Sequence, residues 1–173
     1  NRSGTYNTTL GFEAGMHATA SANTFMGYQA GKGGTTSAPF SSGANNTALG
    51  YQALAGFTTG IYNIAIGYQA GLDSTTGAYN VLIGGLAGTN ITSGGSNILI
   101  GTNAGSAMTD NEFNTIVGSF AGISINSTDA NGSTGLGYEA LRTLTSGAGN
   151  TALGFQALST HVTGHSNTAI GYQ

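Results

Sequence analysis

The sequence predicts an all-β fold, a parallel β-solenoid (β-roll) of about ten 17-residue coils that forms a single repeat segment over residues 1–173. Three observations predict it. A short motif recurs at a nearly constant interval, an aliphatic residue alternates with Thr, Val or Ile ahead of it, and the composition suits stacked coils better than an oily globule. Asn-Thr-Ala-Leu-Gly-Tyr-Gln-Ala at 46–53 returns almost letter for letter as Asn-Ile-Ala-Ile-Gly-Tyr-Gln-Ala at 63–70. Self-similarity at a fixed period is the signature of a solenoid.

Aligned on its central glycine, the motif occurs at Gly11, Gly27, Gly50, Gly67, Gly84, Gly101, Gly118, Gly137, Gly154 and Gly171. The intervals are 16, 23, 17, 17, 17, 17, 19, 17 and 17. The two long ones place loop insertions at residues 32–45 and 123–132. Before each glycine stands an aliphatic residue: Leu10, Met26, Leu49, Ile66, Ile83, Ile100, Val117, Leu136, Leu153 and Ile170. Ten in ten reads as structural core. Two residues earlier come Thr47, Ile64, Val81, Ile98, Thr115 and their equivalents, so one face repeats with period two and each copy holds a short strand.

The recurring glycine predicts a bulge, a positive φ, or close approach by another backbone. Three residues on, alanine fills a tight interior at Ala14, Ala30, Ala53, Ala70, Ala87, Ala104, Ala121, Ala140 and Ala157. The Thr-, Ser- and Gly-rich stretches that follow, such as 72–79 and 89–96, supply turns and a second, weaker strand. Seventeen residues at about 3.3 Å each give a perimeter of about 56 Å, and coils stacked at about 4.8 Å make a rod about 48 Å long. In-register stacking turns identical residues into columns. Asn7, Asn23, Asn46, Asn63, Asn80, Asn97, Asn114, Asn150 and Asn167 then form an amide ladder.

The aromatic after the glycine (Phe12, Tyr28, Tyr51, Tyr68, Tyr138, Phe155, Tyr172) is too large for so thin a coil. A continuous aromatic column marks a contact surface, and an inter-chain contact is the simplest partner for it. Copies five to seven carry Gly85, Thr102 and Ser119 there, with bulk at Leu82, Leu99 and Ile116 instead, a swap that reads as compensating packing.

Composition narrows the function classes. Only 5% of residues are charged, the three basic ones are Arg2, Lys32 and Arg142, and the net charge is −3, so no cationic surface meets phosphates or anionic lipid. Nucleic acid is excluded as a partner, and no apolar run is long enough for membrane insertion in this segment. Cysteine is absent. His161 and His165 sit in a glycine-containing linker and read as solvated, and His17 has no evident partner. Asp110 and Glu112 could bind calcium through oxygen, yet no other coil repeats the pair, so they read as solvated loop acids. No nucleophile has a base beside it. The expectation is therefore no enzyme, with no catalytic residue, metal site or cofactor. The 32–45 insertion, with Lys32, Pro39 and Phe40, is the candidate ligand loop. The chain begins at Asn1 and stops within a repeat at Gln173, which reads as a piece of something longer.

Asn-Thr-Ala-Leu-Gly-Tyr-Gln-Ala-Leu at 46–54, followed by Thr58-Thr59-Gly60, resembles the repeats of large tail-fibre-like proteins of phages and bacteria. Leu49-Gly50-Tyr51-Gln52-Ala53 is also similar to the aliphatic-Gly-x-x-Ala core of trimeric autotransporter adhesin heads, whose repeat is shorter than the 17 residues here. The resemblance covers essentially the whole chain. It implies a homotrimeric fibre, extracellular, on a virion or bacterial surface, that attaches to a host cell or another surface ligand. Two alternatives share the coil: an ice-binding (antifreeze) β-solenoid, against which stands the failure of pairs such as Thr58-Thr59 and Thr75-Thr76 to recur in every linker, and a self-polymerising extracellular filament subunit.

Overall fold

Three-residue segments centred two positions ahead of each repeat glycine are extended, and each pairs with its own copy in the next coil. In the computed structural model, which describes residues 4–34 and 40–173, these are β1 (Thr8–Leu10), β2 (Thr24–Met26), β3 (Thr47–Leu49), β4 (Ile64–Ile66), β5 (Val81–Ile83), β6 (Ile98–Ile100), β7 (Thr115–Val117), β8 (Thr134–Leu136), β9 (Thr151–Leu153) and β10 (Thr168–Ile170). Pro39 lies outside the described residues. The strands form one parallel sheet in chain order, β1 to β10, in register at every step. The fold is a parallel β-solenoid of about nine turns, and its one helical feature among the described residues is a 3-10 turn at Thr128–Ala130.

The second strand expected in each linker does not form. Among the described residues the linkers contribute only the isolated bridges Ala18 to Ser41 and Ser146 to Thr163. Their backbone turns too sharply for a ladder: Tyr62, Tyr79, Ser96 and Phe113, each just before the column asparagine or its neighbour, have φ near +60°, which takes the chain out of the β region.

The strand parity is also the reverse of the expectation. The aliphatic column Leu10, Met26, Leu49, Ile66, Ile83, Ile100, Val117, Leu136, Leu153 and Ile170 is not the interior of the coil; it lies on the outer face, exposed or half-exposed. Alternation puts it on the same side as Thr8, Thr24 and Ile64. The middle residue of each strand points in: Phe25, Ala48, Ala65, Leu82, Leu99, Ile116 and Ala152 are fully buried. A second interior column comes from the linkers, where Phe57, Ile91, Met108, Ile125 and Leu144, each seven residues after a repeat glycine, are also fully buried. The alanines close the remaining space, with Ala30, Ala53, Ala70, Ala87, Ala104, Ala121 and Ala140 inaccessible.

Volume compensation occurs inside the coil rather than across the sheet. Leu82 and the aromatic column lie on opposite faces, so the swap inferred between them is not a packing pair. The true partner of the mid-strand residue stands four positions after the glycine. Where the strand carries Phe25, Leu82, Leu99 or Ile116, that partner is Gly31, Gly88, Gly105 or Gly122; where it carries Ala48, Gly135 or Ala152, the partner is Leu54, Leu141 or Leu158. A Cβ on Gly88 would sit 2.9 Å from both Leu82 and Leu99, and one on Gly135 would sit 3.2 Å from Leu141. No coil in these sets carries a large side chain on both sides of that gap. The coil with Ala65 and Gly71 carries one on neither, and Leu54 and Leu82 of the adjacent coils fill the space, 3.1 and 2.6 Å from where a Gly71 Cβ would sit, as close-packed interiors require.

Candidate functional site: the outer face and its aromatic stacks

Because the strands are in register, every outward side chain stands directly above its copy. Phe12, Tyr28, Tyr51 and Tyr68 stack with ring centroids 5.6, 5.0 and 5.4 Å apart and planes within about 12° of parallel. Tyr138, Phe155 and Tyr172 form a second stack at 5.2 Å per step. Between them Gly85, Thr102 and Ser119 leave a gap in the wall, and Gly85 has open space where a side chain would be. In that stretch the outward strand positions turn β-branched, with Val81 and Ile98 beside Ile83 and Ile100. Apolar character therefore runs unbroken along the face. Even in the interior of the rod, Leu49 keeps 42% and Tyr68 54% of its surface exposed. With a length of about 48 Å and a width of about four strand residues, roughly 13 Å, the face covers about 600 Å², the upper end of what a soluble monomer leaves uncovered.

Beside the aromatics runs a directional amide column. Gln69 Nε2 donates to Gln52 Oε1 at 2.8 Å, Gln52 to Gln29 Oε1 at 2.8 Å, and Gln29 to Glu13 Oε2 at 2.7 Å. Every donor points toward the N-terminal coil, so the first rung must be an acceptor without a proton, which a carboxylate supplies. Gln156 donates to Glu139 Oε2 in the same sense at 2.7 Å. Lys32 Nζ closes the first column, 2.7 Å from Glu13 Oε2. The Lys32 and Gln29 hydrogen bonds hold the Glu13 carboxyl below its ordinary value, and those from Gln156 and Tyr138 do the same for Glu139, whose carboxylate in turn raises the Tyr138 phenol. A depressed folded value means the contribution is complete above the ordinary carboxylate range and is lost as pH falls through the folded value. The unfolding midpoint is accordingly expected to drop between about pH 5 and pH 3, less steeply in a Glu13→Gln/Glu139→Gln double variant than in the parent chain. Parallel thermal melts across that range check it.

The candidate ligand loop is tied back at both described ends. Lys32 is held by Glu13, and Phe40 lies parallel to the buried His17 ring at 6.3 Å. His161 and His165 are not brought together. Asn167 Nδ2 contacts His161 Nε2 at 3.2 Å, and the Ala148 amide donates to His165 Nδ1 at 3.1 Å. An open groove of about 550 Å³, lined by Phe120, Tyr138, Glu139 and Arg142, marks where Phe120 replaces glutamine in the amide column. Phe120 meets Tyr138 edge-on at 6.2 Å. Sequence reasoning missed the interior linker column, although its recurrence seven residues after the glycine was a readable signal.

No family model, curated protein or solved structure matches the chain.

Proposed function

We propose that this chain is a rigid segment of an extracellular attachment fibre, of the tail-fibre or surface-adhesin kind, whose outer apolar face packs against copies of itself in a homotrimer. The observation that carries the reading is that face: an unbroken column of aliphatic side chains flanked by stacked aromatics, left uncovered by the coil's own interior. Three such strips of about 600 Å² around a common axis cover about 1,800 Å² in total over the three contacts. The in-register sheet supplies stiffness, and loops at the insertions present variable surface to a host or other ligand. The rod's task is then extension and presentation, without catalysis.

Size-exclusion chromatography with light scattering tests it. The parent chain is expected at three times its 17.1 kDa mass, and a Leu49→Ser/Tyr51→Ser/Ile66→Ser variant at the single-chain mass with its β circular dichroism kept. A parent chain that runs as a monomer sinks the proposal.

The ice-binding reading keeps one observation in its favour. Thr58, Thr75, Thr92 and Thr109 stack in a column of consecutive coils. The Thr58, Thr75 and Thr92 hydroxyls, however, each donate to a carbonyl of the following coil, at 3.0, 3.0 and 3.3 Å. A thermal hysteresis assay separates the two readings.

A further inference from the structure

Coils six and seven meet differently from the three pairs before them. In each of coils three to five, three successive amides converge on one carbonyl of the next coil. Thr75, Thr76 and Gly77 donate to the Thr92 oxygen at 3.0, 2.9 and 3.1 Å, and Thr92, Ser93 and Gly94 to the Thr109 oxygen at 2.8, 3.3 and 3.2 Å. At Thr109 the pattern changes. Its hydroxyl turns to Asp110 Oδ1 at 3.0 Å, because the 123–132 insertion replaces the next coil's turn with the 3-10 turn at Thr128–Ala130.

Asn111 stands in the position that Gly60, Gly77 and Gly94 hold in the preceding coils. There the next backbone is too close for any side chain; a Cβ on Gly94 would run into the Asn111 carbonyl oxygen. The displaced seventh coil leaves room for one at Asn111. Its Nδ2 donates to the Ser127 oxygen at 2.6 Å and lies 3.5 Å from Asn131 Oδ1, while its Oδ1, fully buried, receives no hydrogen bond. A buried acceptor left so costs about 1–3 kcal/mol. Three of the chain's six acidic residues, Asp110, Glu112 and Asp129, flank the same seam, and no Lys or Arg occurs between residues 109 and 132. The backbone holds these segments together: the Glu112 amide donates to Asn131 Oδ1 at 2.9 Å and the Gly132 amide to the Glu112 oxygen at 3.2 Å.

We propose that this seam binds a calcium ion, with Asn111 Oδ1 as the inner ligand and the Asp110 and Asp129 carboxylates closing over it from the solvent side. The orphan acceptor needs a donor or a cation, and uncompensated negative charge around it selects the cation. Oxygen donors on an irregular loop suit calcium better than magnesium, which demands near-ideal octahedral geometry. Among the described residues no three carboxylate or imidazole side chains already converge as a metal cluster. The carboxylates must therefore swing onto the ion, which places affinity in the weak range of about 10⁻⁴–10⁻³ M typical of extracellular modules. Calcium would clamp a junction where the carbonyl pattern lapses.

Isothermal titration with CaCl2 and MgCl2, with thermal melts in EDTA and in about 10 mM calcium, tests it. The parent chain is expected to show saturable calcium heat and a midpoint raised by several degrees, with magnesium giving neither. Asn111→Gly, which installs the residue used by neighbouring coils, is expected to fold and to lose both signals. Asp129→Asn is expected to weaken affinity about tenfold, the loss of one charged ligand. Identical midpoints in EDTA and calcium with no saturable heat would mean that water satisfies Asn111, and would overturn the site. An undiminished response in Asn111→Gly would overturn it equally.

Discussion

Gly67→Ala is expected to cost more than 3 kcal/mol, while Gly85→Ala, eighteen residues on, stays within about 0.5 kcal/mol of the parent chain. Gly67 has φ +132°, a region that L side chains scarcely enter, and a Cβ there would sit 2.6 Å from the Gly84 oxygen and 2.7 Å from its carbon. Both are backbone atoms and cannot rotate away. The clash is built into the stacking, since the Gly67 amide donates to the Leu49 oxygen at 2.8 Å and fixes the same glycine between two coils. Relief would require opening the stack at that rung, and the strain comes on top of it. Gly85 has no atom within 4 Å of its would-be Cβ and no positive φ. Chemical denaturation of the two variants side by side is the check. Equal stability would show that the coils slide apart more readily than their hydrogen bonds suggest.

What could be read from the sequence follows from which positions the backbone itself dictates. The glycine, alanine and asparagine columns recur because each coil repeats one backbone path, so their roles were legible without knowing what lies on either side. The repeat glycine turns out to combine two of the three expected causes, positive φ and backbone approach. Strand parity was not legible. In a three-residue strand, alternation shows that Leu49 and Thr47 share a face and Ala48 takes the other, but hydrophobicity then favours calling the leucine side interior. It fails here because Ala48 is matched inside by Leu54 and Phe57, which sit beyond the strand in a stretch that reads as turn. The outward leucines look like core because they are suited to burial by something other than their own coil. The same blindness hid the seam at Asn111. Its meaning depends on the coil seven displacement, which a single asparagine among many does not announce.

Asn80→Ala is the second large loss expected, about 3–5 kcal/mol, and Asn80→Ser is expected to cost clearly less. Asn80 is fully buried and works in three directions. Its Oδ1 accepts from the Asn97 amide at 3.0 Å and from Asn97 Nδ2 at 3.1 Å, and its Nδ2 donates to the Gly94 oxygen at 2.9 Å and to Asn63 Oδ1 at 3.2 Å. The ladder is therefore more than side chain on side chain: each amide also holds the backbone of the next coil. Alanine removes the side-chain partner of a buried amide and of a buried carbonyl at once, and each orphan costs about 1–3 kcal/mol. Serine has a precedent in this chain. At Ser133, the rung where the column lacks asparagine, the Ser133 amide still donates to Asn114 Oδ1 at 2.9 Å, and the Asn150 amide reaches Ser133 Oγ at 3.4 Å instead of the 2.8–3.0 Å found at the asparagine rungs. A hydroxyl can thus bridge the coils, though at a stretched distance. Native-state hydrogen exchange at the Asn97 amide reads this directly, because its protection depends on the Asn80 acceptor. Protection is expected to fall furthest in Asn80→Ala and part-way in Asn80→Ser. If both variants exchanged at the parent rate, the strands alone would be holding the coils in register and the ladder would be incidental to stability.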